Sequence, residues 1–201
     1  MLGQNLSSES DAQLWQQLRT HSHAALAAMY GRYGADLIRY GNRLTDDEHL
    51  VQDCVQDLFV ELWNRRLFIA PDVQNLRLYL LGALRHKVTK AIRAQQRHEG
   101  WSDASEGAFS YFSPEDVLIQ SQHEEGQRER LQQAMTRLAP RQQEVIHLRF
   151  FHNLSHAEMA TVMNMQAQSV RNLLHGALHR LRELVLPYVQ LTLLLVAEWV
   201  S

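Results

Sequence analysis

The stretch that decides the fold is Leu138–Glu183, LAPRQQEVIHLRFFHNLSHAEMATVMNMQAQSVRNLLHGALHRLRE, whose small and apolar residues fall where two helices must cross at a tight turn. Ala160 is small enough to let the first helix approach the second. Asn164 can take the left-handed backbone conformation that such a turn needs, and Met159, Met163, Met165, Val170 and Leu173 supply a shared core. Gln166, Gln168, Ser169, Arg171, Asn172 and His175 are then left facing outward around the start of the second helix, near Ala167. Gln, Asn and Arg carry donor and acceptor pairs that match base edges in a major groove, and Ser can reach phosphate or base. The pattern predicts a helix-turn-helix with a reading helix, although a short amphipathic hairpin of no such purpose can share its spacing.

The flanks of this stretch agree with it. Ser155, with Leu154 before it and Glu158 three residues after, has the form of a capping box with an apolar residue ahead of it, which gives the first helix a defined start worth about 1 kcal/mol. Pro140 opens a preceding helix through Phe151, whose Val145, Ile146, Leu148 and Phe150 are expected to cover the hairpin.

Composition points the same way. The chain has 201 residues with only 9 Gly and 4 Pro, which favours helices over a turn-rich sheet protein. Its single cysteine, Cys54, excludes an internal disulfide framework, and the start has no basic segment leading into an apolar run, so a cytoplasmic location is expected. A net charge of -2 is not that of a simple DNA binder, which makes the distribution of charge more informative than its sum. Thr45–Asn64 carries Asp46, Asp47, Glu48, Asp53, Asp57 and Glu61 and no Lys or Arg, whereas Leu76–His98 carries Arg77, Arg85, Lys87, Lys90, Arg93 and Arg97 and no acid. Two solvated helix faces that attract each other would explain this. The acidic segment also presents Gln52 and Gln56 beside an apolar stripe of Val51, Val55, Leu58, Phe59 and Leu62, a mixture suited to a protein interface.

The periodicity predicts helices over Asp11–Arg19, His23–Leu44, Asp46–Asn64 and Asn75–Gln96, packed as one domain, with Leu67–Gln74 as a loop around Pro71. From Glu99 to Pro114 the composition is that of a linker with Trp101, Phe109, Tyr111 and Phe112 as isolated anchors. The fold class is therefore all-α, with two small helical domains at 10–97 and 121–186, a linker at 98–120 and an apolar extension at 187–201. Pro187, Gln190, Thr192 and Glu198 make that extension too short and too broken to span a bilayer. A packing extension of the second domain is the first expectation for it, and a docking or membrane-proximal patch the second.

Four segments in this order resemble the small extracytoplasmic-function (ECF) sigma factors of the sigma-70 family: MYGRYGADLIRYGNRLT at 29–45, DCVQDLFVELW at 53–63, NLRLYLLGALRHKV at 75–88, and the helix-turn-helix at 138–183. The resemblance implies region 2 at 10–97 and region 4 at 121–186, joined by the linker. It implies a protein that directs core RNA polymerase to promoters, against the alternative of a stand-alone helix-turn-helix regulator. Asp53, Gln56, Asp57 and Phe59 would meet the clamp helices of the largest polymerase subunit, with Leu62 and Trp63 in the core. Region 4 would approach the polymerase flap and read the −35 duplex. The basic helix would open the promoter and hold the −10 strand: Arg77, Arg85, Lys87, Lys90 and Arg93 following phosphates, and Tyr79, His86 or the Leu67–Gln74 loop accepting an unstacked base, unless Tyr79 is a core residue. A membrane-anchored anti-sigma factor is a further implied partner. Two positions depart from the family's habit, His86 where Asn is common and Gly176 where a basic residue is common, and both bear on promoter choice.

Of the 11 histidines, His147, His152, His156, His175 and His179 lie in the second domain. His175 and His179 have the i, i+4 spacing of a two-ligand helix, but no acid or cysteine completes a metal motif, and phosphate contact is the better expectation. No nucleophile, paired-carboxylate or phosphate-loop arrangement is present, so neither an enzyme, a cofactor nor a small-molecule substrate is expected.

Overall fold

A computed structural model describes residues 9–98 and 125–200, with side chains over 9–96 and 130–185. The predicted linker at 98–120 with its aromatic anchors, the start of the second domain near Pro114, and the packing of the 187–201 extension lie outside the described residues. Eight helices and no strand are present among the described residues: α1 Asp11–Arg19, α2 His23–Leu44, α3 Glu48–Asn64, α4 Leu76–His98, α5 Glu125–Thr136, α6 Pro140–Phe150, α7 His156–Met163 and α8 Ala167–Val200. The chain divides into two compact units, one holding α1–α4 and the other built on α5, α6, α8 and the first turns of α7.

In the first unit, helix ends follow the capping residues. Ser10 and Gln13 form a reciprocal capping box at the start of α1, Ser10 N–H donating to Gln13 Oε1 at 2.8 Å and Gln13 N–H to Ser10 Oγ at 3.3 Å. The chain then reverses at His21, whose φ of 71° closes the end of α1, and Ser22 immediately caps α2 by accepting from Ala25 N–H. Helix α3 begins two residues later than expected. Asp47 serves as its cap, its carboxylate accepting from Leu50 N–H at 2.9 Å, so Asp46 stays outside the helix. Asn75 caps α4 in the same way through Leu78 N–H, and α4 runs to His98, past the expected end at Gln96.

Helix α2 packs against α1, α3 and α4, and α3 also packs on α4. Their apolar stripes meet in one core: Leu14, Trp15 and Leu18 from α1, Met29, Leu37, Tyr40 and Leu44 from α2, Val51, Val55, Leu58, Phe59 and Leu62 from α3, and Leu76, Leu80, Leu81, Leu84 and Val88 from α4. At the α2–α3 crossing a Cβ on Gly41 would lie 2.4 Å from Val51 Cγ1. Only glycine fits there.

In the second unit α8 packs against α6 and α5. The capping box expected at Ser155 is present, with Ser155 N–H donating to Glu158 Oε2 at 2.8 Å and Glu158 N–H to Ser155 Oγ at 3.3 Å. Helix α7 ends in a Schellman motif: Asn164 has φ 52°, Met165 N–H bonds Ala160 C=O at 2.9 Å, and Asn164 N–H bonds Thr161 C=O. Val145, Ile146, Leu148, Met159, Met163 and Val170 are buried as expected. Three positions differ. Met165, at the turn, is half-buried, Leu174 and Ala177 continue the stripe from Val170 while Leu173 lies half-buried at its edge, and Phe150 is exposed because Val145 and Leu148 already turn the inner face of α6 inward.

Gly41→Ala gains up to about 1 kcal/mol of helix propensity but forces a methyl into the stiff, buried Val51. The expected net effect is a loss of about 1–3 kcal/mol in urea unfolding, with helical content retained.

Candidate functional site

The loop 65–75 and the helices around it enclose a cavity of about 360 Å³. Its walls include Trp15 from α1, Leu58 and Leu62 from α3, Phe68, Ile69, Ala70 and Val73 from the loop, and Tyr79, His86 and Lys87 from α4. The loop is held from α1: Trp15 Nε1–H donates to Ala70 C=O at 2.9 Å, and Gln16 Nε2 donates to Pro71 C=O at 2.7 Å and reaches Asp72 Oδ1 at 3.3 Å. Tyr79 presents its ring edge-on to Trp15, 5.3 Å between centroids. It is 42% exposed, and burial of the remainder raises its phenol pKa, which keeps the hydroxyl neutral. Phe68, 86% exposed, stands at the rim as a bare ring. An aromatic cleft bordered by cations can stack a flat, unpaired base and neutralise its phosphates.

The basic residues of α4 fall into two groups. Arg77 pairs with Asp36 of α2 at 2.9 Å and Lys87 with Glu61 of α3 at 2.8 Å, so two of the expected phosphate-tracking cations hold helices together. Arg85 is half-buried, while His86, Lys90 and Arg93 are exposed. Glu61 also binds Arg65 at 3.0 Å. Hydrogen bonds from Lys87 and then Arg65 lower its carboxyl pKa. The stabilisation this represents is complete above the ordinary carboxylate range and fades as pH falls through the lowered value.

On α3, Asp53, Gln56 and Asp57 lie exposed along one side with Gln52, and Val60 extends that side as an exposed apolar residue. Phe59 does not join them. It is 5% exposed and packs edge-on against Tyr30, because the apolar stripe it shares with Val55 and Leu62 is the one buried on α2. Trp63 is half-buried, its ring stacked on His23 at 3.8 Å and capped by the Arg66 guanidinium at 4.2 Å.

On α8, Gln166 precedes the helix and Gln168, Ser169, Arg171, Asn172 and His175 are all exposed. Three of these side chains bind one another: Arg171 Nη1 donates to Gln168 Oε1 at 3.2 Å, and Gln168 Nε2 to Asn172 Oδ1 at 3.1 Å. His179 points to Glu183 at 3.7 Å, while the buried His147 and His152 share a hydrogen bond between their Nε2 atoms at 3.2 Å. Among the described residues no group of three or more His, Cys, Asp or Glu is arranged to hold a metal, and no helix is long and apolar enough to cross a membrane.

Residues 29–98 match the family model for sigma-70 region 2, and residues 134–183 match that for sigma-70, region 4. The RNA polymerase sigma-E factor of Streptomyces avermitilis is 30% identical over 147 residues, which span 73% of this chain and 77% of that protein. The chain belongs to the ECF group of the sigma-70 family. As an ECF sigma factor it directs core RNA polymerase to promoters, and its match to region 2 disfavours a stand-alone regulator. The ECF sigma factor SigL of Mycobacterium tuberculosis is 26% identical over 160 residues, covering 79% of this chain and 88% of that one. The fold is also that of CnrH, solved with the cytosolic domain of CnrY, at a TM-score of 0.59 and 20% identity over 88% of this chain and 97% of that one. RpoE of Bartonella quintana, solved with the anti-sigma factor NepR, gives 0.54 and 21% identity over 75% and 89%.

Trp15 is the cleft residue that sequence reasoning did not single out, and only its aromatic character signals it; Phe68 and Ile69 fall within the Leu67–Gln74 loop and Glu61 among the acids of the α3 segment, without a role given to each. Lys87→Met is expected to raise the Glu61 carboxyl pKa toward its ordinary value, measured by carboxyl carbon NMR during acid titration. An unmoved titration would assign the effect to Arg65 alone.

Proposed function

We propose that this sigma factor divides its work among three surfaces. The exposed side of α3, with Asp53, Gln56 and Asp57, meets the clamp helices of the polymerase. The cleft under the loop 65–75 takes one unstacked base of the −10 strand, with His86, Lys90 and Arg93 beside the backbone, Arg85 at the edge of the same helix, and Arg77 and Lys87 acting chiefly as struts. Helix α8 reads the −35 duplex through Gln166, Gln168, Ser169, Arg171, Asn172 and His175, while the second unit approaches the flap. The single observation that carries this reading is the cleft, where Trp15, Phe68 and Tyr79 gather beside His86, Lys87 and Arg65 in a volume of about 360 Å³. That size suits one ring system.

The protein works as a non-catalytic initiation factor in the cytoplasm. Regulation by an anti-sigma factor is supported by the likeness to RpoE, which was solved bound to NepR.

Changing Asp53 and Asp57 together to Lys is expected to abolish comigration with core polymerase while circular dichroism stays unchanged, both carboxylates being exposed and engaged in no cap. Core binding at the original affinity would remove α3 as the contact. For α8, Arg171→Ala is expected to cost about 1–3 kcal/mol on the −35 element and relax preference at one base pair if the guanidinium reads a base. A phosphate role would instead lower affinity evenly across sequences and reduce the slope of log affinity against log salt by about 0.9. Binding of duplexes with each base pair replaced in turn separates the two outcomes.

A further inference from the structure

Helix α1 lies ahead of the segment 29–98 that matches region 2, yet it supplies one wall of the base cleft and the fastening of another. The loop 65–75 is held by few bonds of its own: Phe68 and Ile69 N–H both turn back to Arg65 C=O, and beyond Ile69 the carbonyls of Ala70 and Pro71 accept from Trp15 and Gln16. Pro71 has no N–H with which to pair in return. The side-chain amide of Gln16 thus spans two successive loop residues, bonding Pro71 C=O at 2.7 Å and Asp72 Oδ1 at 3.3 Å.

The helix that makes these bonds is itself fixed. Asp11 accepts from Arg32 Nη1 at 2.7 Å and from the Tyr33 hydroxyl at 2.5 Å, and Arg32 Nη2 donates to Glu9 C=O at 2.6 Å. This network lifts the Tyr33 phenol to about 12, through burial first and then its bond to Asp11. The capping box at Ser10 and Gln13 and the buried Leu14, Trp15 and Leu18 complete the anchorage. A rigid α1 therefore sets the height of the loop above Tyr79, and with it the width of the slot open to a base.

We propose that Gln16 is a positioning residue for base selection: through its bonds to Pro71 and Asp72 it sets the shape of the cleft, so that α1 determines which −10 base is accepted. This rests on the reading of the cleft as the base site. Gln16 is exposed, and its substitution is expected to leave folding and core binding intact.

The test uses the full chain in holoenzyme and a set of promoter templates, taken from run-off transcription on a genomic library, carrying each of the four bases in turn at every non-template −10 position. The readout is the ratio of open-complex yield for the best and worst base at the most selective position. Gln16→Ala and Gln16→Glu both remove the donor, and Gln16→Lys keeps one within reach of Pro71 C=O and Asp72. All three are good helix formers, so α1 itself is not perturbed. Loss of one hydrogen bond corresponds to about a fivefold fall in the ratio. That fall is expected for Ala and Glu, with the ratio restored by Lys. An unchanged ratio in Gln16→Ala and Gln16→Glu, or equal loss in all three variants, overturns the proposal. Phe68→Ala serves as the separate check of the cleft: a ratio that it leaves untouched removes the base-site reading, whereas a ratio lost in Phe68→Ala and kept in every Gln16 variant removes only the role of α1.

Discussion

The constraint on which the first unit depends is the rotation of α4 about its own axis. Leu76, Leu80, Leu81, Leu84 and Val88 have no exposed surface, and burying five such side chains stabilises by roughly 1.5–3 kcal/mol each before entropy is counted. No other rotation could bury them all. With that face fixed, Tyr79, His86, Lys90 and Arg93 must point away from the core, while Arg77 and Lys87 fall at its flanks where Asp36 and Glu61 meet them. The chemistry of the helix surface is thus a by-product of its leucines, and the ion pairs at its edges align α4 with α2 and α3 rather than supplying much stability, since each is partly exposed.

The charge segregation between α3 and α4 has two roles on different residues. Glu61, at the end of α3 nearest the cleft, answers Lys87 and Arg65 within the fold. Asp53 and Asp57, one to two turns earlier, face solvent with Gln52 and Gln56. Attraction between the two helices and an acidic outer surface are therefore both present, four residues apart.

Much of this was legible from residue order. Periodicity placed the beginnings of α1 and α2 where they lie and that of α3 within two residues, and Ser155, a side chain that satisfies the free N–H groups of a helix start, marked that of α7. Asn164 was readable as a left-handed turn because few residues tolerate that conformation. At Leu173 and Leu174 two apolar neighbours compete for one inward position, and periodicity alone does not choose between them. Phe59 lies buried in the apolar stripe where periodicity put it, which sets it apart from the polymerase-facing role that the resemblance implied. The fastening of the cleft was illegible for another reason. Trp15 and Gln16 bond residues 55 and 56 positions away, and no local pattern encodes a contact of that span. The loop itself could be named in advance; what shapes it could not.

The close approach at Gly41 reaches beyond its local geometry. Because a methyl there would overlap Val51, the two positions are not free to drift separately: a side chain gained on α2 is admissible only with one shortened on α3. Their substitution energies should therefore be strongly non-additive. Through generations of sequence change the pair would vary together or not at all, leaving a co-variation signal at a point buried between two helices.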